Sequence, residues 1–190
     1  VDYDFGNYSG AILGSASDES EYAITGNSIE GFYNGSWSPT NAKSAIWSDS
    51  YTGIANCNLV LKEFQGLTFD ELVLNSDYDQ QMYRYHNYKH EARFWRAYFY
   101  FNLAKQYGGV PLITKVQSTD VTNKAPRATS DETFKFIIDE CNLVQDSIVK
   151  NPADFNLPSE IDNGRASRIT VLALKARAAL YWASPLFNPQ

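Results

Sequence analysis

The chain has 190 residues, 44% hydrophobic content and a formal net charge of −6, a size and composition that suit one domain with a sizeable core. The acidic balance argues against a nucleic-acid partner, because phosphate binding needs a concentrated Lys/Arg face that no segment supplies. No apolar run approaches the roughly 20 residues a helix needs to cross a bilayer, and no charged n-region followed by an h-region stands at the start.

Residues 1 to about 40 are rich in Gly, Ser, Asn, Asp and Tyr, with turn pairs at Asn34-Gly35 and Ser38-Pro39 and no helical periodicity. They read as a long loop or an irregular arm. From about Ala42 to Phe64, the residues Ile46, Tyr51, Ile54, Asn58 and Leu61 recur at three- and four-residue spacing, which predicts a first helix ending near Gly66. A shorter segment, Thr68 to Leu74, follows. The acidic Asn75-Ser-Asp77-Tyr-Asp79 then starts a second helix running to about Tyr107. Within it, Phe94 to Phe101 holds six aromatics in eight residues. On a helical wheel Phe94, Trp95, Tyr98, Phe99, Phe101 and Leu103 fall on one broad arc, which other helices must cover, with Lys89, Arg93 and Arg96 on the opposite side. Gly108-Gly109 supplies a left-handed stop and Pro111 starts an extended exit.

Thr114 to Ala128 reads as an exposed loop. A third helix begins at Thr129-Ser-Asp-Glu132, a capping-box pattern followed by Phe134, Ile137, Ile138, Cys141 and Val144. Asn151 to Gly164 is a further loop, punctuated by two prolines and a glycine. The fourth helix starts from Ser167 as N-cap and ends at Ser184-Pro185, its alanines implying close helix approach. No strand-like alternation is long enough to build a sheet, so the expected fold is all-α, made of paired antiparallel helices.

Motifs for chemistry are sparse. Cys57 and Cys141 lie in predicted helices without a second Cys or His at metal-ligand spacing, which reads as buried free thiols rather than a zinc site. His86 and His90 stand one helical turn apart beside Glu91, a geometry that two metal ligands share with an ordinary solvated face, and no third ligand follows. Asn75, Asp77 and Asp79 alternate like the start of a calcium loop but lack its glycine and closing glutamate. There is no Gly-x-Ser-x-Gly elbow and no phosphate-cradling loop. These observations call for no catalytic residue, no metal and no cofactor. A helical glycosidase would need two carboxylates facing each other across a cleft, and Asp and Glu are plentiful enough to leave that alternative open.

The run Glu91-Ala-Arg-Phe-Trp-Arg-Ala-Tyr-Phe-Tyr-Phe-Asn-Leu, followed by Tyr107-Gly-Gly-Val-Pro-Leu, resembles the central signature of the SusD/RagB family of outer-membrane nutrient-binding lipoproteins. Trp47-Ser-Asp-Ser-Tyr51 with Ile54-Ala-Asn56 is similar to an earlier helix of that family, and Arg127-Ala-Thr-Ser-Asp-Glu132 to its capped helix after the Gly-Val-Pro loop. Arg165-Ala-Ser, Leu174-Lys-Ala-Arg177-Ala-Ala-Leu-Tyr181 and Ala183-Ser-Pro-Leu-Phe-Asn188 follow in the family's order, so the resemblance runs from about Ser17 to Asn188.

The resemblance implies tetratricopeptide-like helix pairs and a non-catalytic role at the cell surface, where a glycan is captured and delivered to a SusC-like TonB-dependent transporter. It implies membrane attachment only through a lipid anchor on a cysteine outside this chain, and a longer protein of which residues 1–190 are the N-terminal part. Residues 1–40 would then be the irregular ligand-loop region and 41–190 the helical scaffold. A peptide-binding relative or a protein-interaction scaffold is the alternative from another class. Sugar rings present apolar C–H faces and hydroxyl rims, so their contacts are expected at aromatic and polar side chains outside the helices. Asp18, Glu19, Tyr22, Tyr33, Asn34 and Trp37 offer both kinds, with ordinary loop packing as the competing account. Glu91 falls inside the apolar arc of the second helix, and a buried carboxylate needs a partner. Arg177, at a motif position on a helix expected to touch it, is the partner expected, with Arg93 or Arg96 as competitors.

Overall fold

The computed structural model describes residues 7–8, 11–18, 20–38, 40–41, 46–155 and 164–187. The chain divides into two units, 1–46 and 47–190.

In the first unit, β1 (Asn7–Tyr8) and β2 (Ala11–Ile12) pair antiparallel, Asn7 opposite Ile12 and Tyr8 opposite Ala11. Two 3-10 turns follow at Leu13–Ala16 and Ser28–Phe32. The two-residue ladder is the one strand pairing among the described residues that the hydrophobic pattern does not announce.

The second unit is helical: α1 (Trp47–Glu63), α2 (Tyr78–Tyr107), a short α3 (Thr119–Asn123), α4 (Ser130–Val144) and α5 (Arg168–Trp182). Ring contacts give their directions. Trp47 meets Tyr107 and Phe64 meets Tyr85, so α1 and α2 are antiparallel. Tyr100 meets Phe136 while Arg96 pairs with Glu140, so α2 and α4 are antiparallel as well. Trp182 Nε1 donates to Asp131 and Lys175 to Gln145, which turns α5 back along α4. The fold is the all-α arrangement of helix pairs that the periodicity predicts.

Local chemistry explains where the helices stop and start. Gly108 ends α2 with φ +69°, and its N–H donates to the carbonyl of Ala104. A Cβ on Gly109 would lie 2.0 Å from the carbonyl oxygen of Ala128, so only glycine lets the two segments approach. Arg127 closes this corner by donating from Nε to Gly109 O at 2.6 Å and from Nη2 to Tyr107 O. Both arms of the capping box are present at α4: Glu132 N donates to Thr129 Oγ1 at 3.1 Å, and Thr129 N to Glu132 Oε2 at 2.8 Å. At α5, Ser167 N donates to Thr170 Oγ1.

The wheel reading of α2 needs correcting. A wheel assumes one dry side and one wet side, but α2 is the central helix, packed by α1 on one flank and α4 on another. Arg96, placed on the outer side by the wheel, is 4% exposed, whereas Trp95 is 39% exposed. The core gathers Ile54, Phe94, Tyr100, Phe101, Phe134 and Ile137 among others. Cys57 and Cys141 lie buried and unbridged, and burial pushes their thiols up to about 11 and about 12, which keeps them protonated and inert at neutral pH.

Arg96 is tolerated inside because each of its groups is answered. Nη2 donates to Glu140 Oε2 at 2.7 Å, and Nη1 donates to Asn58 Oδ1 at 2.7 Å and to Thr114 O at 2.9 Å. Arg93 adds a bond from Nη1 to Glu140 Oε1 at 2.9 Å.

The expected pair of Glu91 with Arg177 does not form. Glu91 is instead held by Arg165, Nη2 to Oε2 at 2.8 Å with two further bonds to Oε1, and by the Asn87 amide. Depth along the helices is the reason. Glu91 is level with the start of α5, whereas Arg177 lies further along it, with its guanidinium 5.9 Å from the centre of the Phe101 ring. Ten residues of α2 separate Glu91 from Phe101, about 15 Å at the helical rise. Arg93 and Arg96, the competing partners, turn to Glu140.

Candidate functional site

Polar side chains shape the turn at 26–41 in the first unit. Asn27 Oδ1 accepts from Ile29 N at 2.9 Å and caps the 3-10 turn, and Glu30 Oε1 accepts from Gly26 N at 2.7 Å. Asn34 Oδ1 accepts from Ser36 N at 3.0 Å, and Asn41 Nδ2 donates to Ser36 O at 2.8 Å. This framework carries Tyr33 and Trp37, both exposed; Trp37 is 56% exposed and sets its ring edge-on to Phe32 at 5.0 Å. Reduced hydration, then the carboxylates of Glu30 and Glu21, hold the Tyr33 hydroxyl above its ordinary value, so it stays a neutral donor and acceptor.

Of the six ligand candidates read from sequence, Tyr33, Asn34 and Trp37 therefore stand on one turn. Asp18 is exposed and Tyr22 half-buried elsewhere in the unit, and Glu19 lies outside the described residues.

The second unit carries a cleft of about 560 Å³ between α1 and the segment from Pro111 to Ala125. Its floor is tied down. Tyr51 donates its hydroxyl to Pro111 O at 2.8 Å, Asn58 Nδ2 donates to Ile113 O at 2.9 Å, and the Tyr100 hydroxyl accepts from Ile113 N at 2.6 Å. Burial pushes the Tyr51 and Tyr100 hydroxyls up, so both remain protonated and keep donating. Trp47 stands at the rim, 42% exposed, its ring propped edge-on against Tyr107 at 5.2 Å and tilted against Tyr51. Asn56, Lys115, Gln117 and Asn123 complete the polar wall. Trp47 and Tyr51 are motif residues in the sequence, but nothing local signals that Gln117 and Asn123 line the same cleft.

His86 sits beside the Tyr85 ring at 5.2 Å, and burial together with Lys89 and Arg93 lowers the pKa of His90. Among the described residues no three His, Cys, Asp or Glu side chains converge as metal ligands, and no helix is long and apolar enough to cross a membrane.

A SusD-like family model, described as starch-binding and associating with the outer membrane, matches residues 10–180. The chain belongs to the SusD-like family. A SusD-like protein of Formosa agariphila is 24% identical over 136 residues, which are 71% of this chain and 22% of that protein. The fold superposes on a laminarin-binding SusD-like protein with TM-score 0.64 and 26% identity, over 80% of this chain and 30% of the other. A SusD-like carbohydrate-binding protein from Bacteroides fragilis gives TM-score 0.69 at 23% identity, over 92% of this chain and 31% of the other. The chain thus spans between about a fifth and a third of the length of these SusD-like relatives.

Proposed function

We propose that this protein is a non-catalytic, surface-exposed carbohydrate-binding component of the outer membrane that captures oligosaccharides and passes them to a SusC-like TonB-dependent transporter. The match of the SusD-like family across residues 10–180 is the observation that carries this reading. Laminarin binding by the 26% identical relative makes β-glucan the first ligand class to examine. The contacts we assign to the N-terminal turn are Tyr33, Asn34 and Trp37, with Asp18, Glu19 and Tyr22 as further contacts. Exposed rings beside amides and carboxylates supply both the stacking face and the hydroxyl partners that a sugar needs.

Capture without cleavage suits the cleft on α1, whose lining among the described residues includes no Asp or Glu, whereas glycoside hydrolysis uses a facing carboxylate pair. The test is calorimetric titration of the intact protein with laminarin, starch and a peptide library, followed by chromatography of the recovered glycan. Binding of a glycan recovered at its original length is expected. Shortened glycan, or binding confined to peptides, would overturn the reading. Co-purification of a TonB-dependent transporter from detergent-solubilised outer membranes tests the partner.

A further inference from the structure

We propose that the cleft between α1 and the 111–125 segment is a second carbohydrate subsite, taking a short uncharged oligosaccharide independently of the N-terminal turn. The inference rests on the glycan-capture reading above and deepens it.

Three hollows of the helical unit differ in what they offer a ligand. One of about 400 Å³ between α1 and α2 is walled by Val60, Phe64, Tyr88, Trp95 and Phe99. Another of about 310 Å³ is lined by Phe64, Phe69, Met82 and Tyr85, and the Tyr85 hydroxyl is already engaged with Phe64 O and Leu67 N. Both are predominantly apolar. The cleft of about 560 Å³ joins a half-exposed indole to polar side chains, and its volume falls in the roughly 300–1,000 Å³ range of small-ligand sites. Among the described residues, the side chains of Asn56, Lys115, Gln117 and Asn123 have no hydrogen-bond partner, while the groups beneath them are all bonded. The bonded groups form a preorganised floor and the unbonded ones remain for a guest, which lowers the ordering cost of binding.

The chemistry of the guest follows from the wall. Trp47 offers a flat π-face for the C–H side of a pyranose, as stacking requires. The amides of Asn56, Gln117 and Asn123 each present a donor and an acceptor, matching hydroxyls that do both. Among the described lining residues Lys115 is the one charged side chain, which disfavours a cationic guest, while the chain's net charge of −6 disfavours a uronate; with three neutral amides in the wall, an uncharged sugar is the guest that fits.

The experiment labels the intact protein with 5-fluorotryptophan and titrates it with laminarihexaose, maltohexaose and oligogalacturonate, following fluorine NMR. The Trp47 resonance, assigned through Trp47→Phe, should shift saturably with a neutral hexaose while that of Trp182, which does not line the cleft, stays in place. A double variant, Asn56→Ala with Gln117→Ala, should weaken that saturation about tenfold, the effect of losing net hydrogen bonds worth about 1.4 kcal/mol. Its melting temperature should be unchanged, because neither side chain bonds within the protein. An unmoved Trp47 resonance, or unaltered affinity in the double variant while Trp37→Ala abolishes binding, overturns the cleft and leaves the glycan-capture reading standing. Preference for oligogalacturonate overturns the uncharged assignment. Absence of binding by all three glycans, extended to starch and laminarin, overturns both.

Discussion

The two units hold their shape by different means. In residues 7–41 the described hydrogen bonds join residues no more than five apart, such as Asn41 Nδ2 to Ser36 O, and the large rings of Tyr33 and Trp37 stand in solvent. In residues 47–187 the deciding bonds join distant segments: Asn58 to Ile113, Asn87 to Val149 and Arg165 to Glu91. The rings of Tyr100 and Phe101 are sealed in the core. A locally bonded turn keeps its aromatic faces free for a ligand, whereas a cross-linked scaffold spends its polar groups on fixing one arrangement. The difference separates residues whose loss should unfold the protein from residues whose loss should change what it binds.

The sharpest way to break that division is Arg96→Ala. It strands Glu140 with Arg93 alone and leaves Asn58 Oδ1 and Thr114 O without their shared donor. Removing one partner of a buried pair costs about 3–5 kcal/mol, so the helical unit should lose that much in urea unfolding followed by circular dichroism. A loss below about 1 kcal/mol would show that the network is dispensable. Tyr100→Phe is gentler. It keeps the ring but orphans the buried Ile113 N–H, which should cost about 1–3 kcal/mol and raise amide exchange at Ile113. If amide exchange there is unchanged, the exit segment is held by something other than this hydroxyl.

How far these features could be read in advance depends on how local their causes are. Both arms of the Thr129–Glu132 box and the glycine stop at 108 are legible, because each is settled within a few residues. Arg96 is misread by a wheel because burial of α2 is decided by two neighbours, not by one amphipathic side. The motif spacing points Glu91 to Arg177 inside α5, whereas its partner Arg165 sits just before that helix, and only the relative depth of α2 and α5 selects between them. The five-residue α3 is too short to show periodicity within the segment read as a loop. The cleft is least legible of all, since Asn56 comes from α1 and Gln117 from the far side of α2 in sequence. Of the ligand candidates, exposure of Tyr33 and Trp37 follows from their polar surroundings, and their proposed use by a ligand rests on the stacking faces and hydroxyl partners a sugar needs.

Thr129→Ala should destabilise by about 1 kcal/mol, since it removes one N-cap acceptor at an otherwise intact helix. It also changes the acid response. Bonds from the Thr129 backbone and hydroxyl lower the Glu132 pKa below its ordinary 4.5, so the folded state binds fewer protons here than the unfolded state. That contribution is complete above pH 4.5 and is lost as pH falls through the depressed folded value. The variant should show a flatter decline of stability over this acid window, and an unchanged slope would mean that Glu132 keeps its stabilisation without Thr129.

Trp37→Ala should have the smallest effect on stability, within about 0.5 kcal/mol, because surface replacements away from packed features rarely exceed that. Truncating a packed tryptophan costs about 3–5 kcal/mol, so the urea midpoint discriminates the two situations cleanly. The expectation follows from a ring that is 56% exposed and meets Phe32 edge-on. If the variant keeps its midpoint and loses laminarin binding, the turn behaves as a ligand surface mounted on local bonds. A loss of unfolding free energy above about 2 kcal/mol would instead make Trp37 part of a packed interior, and the contrast between the two units would then lie in bond range alone and not in the freedom of their aromatic rings.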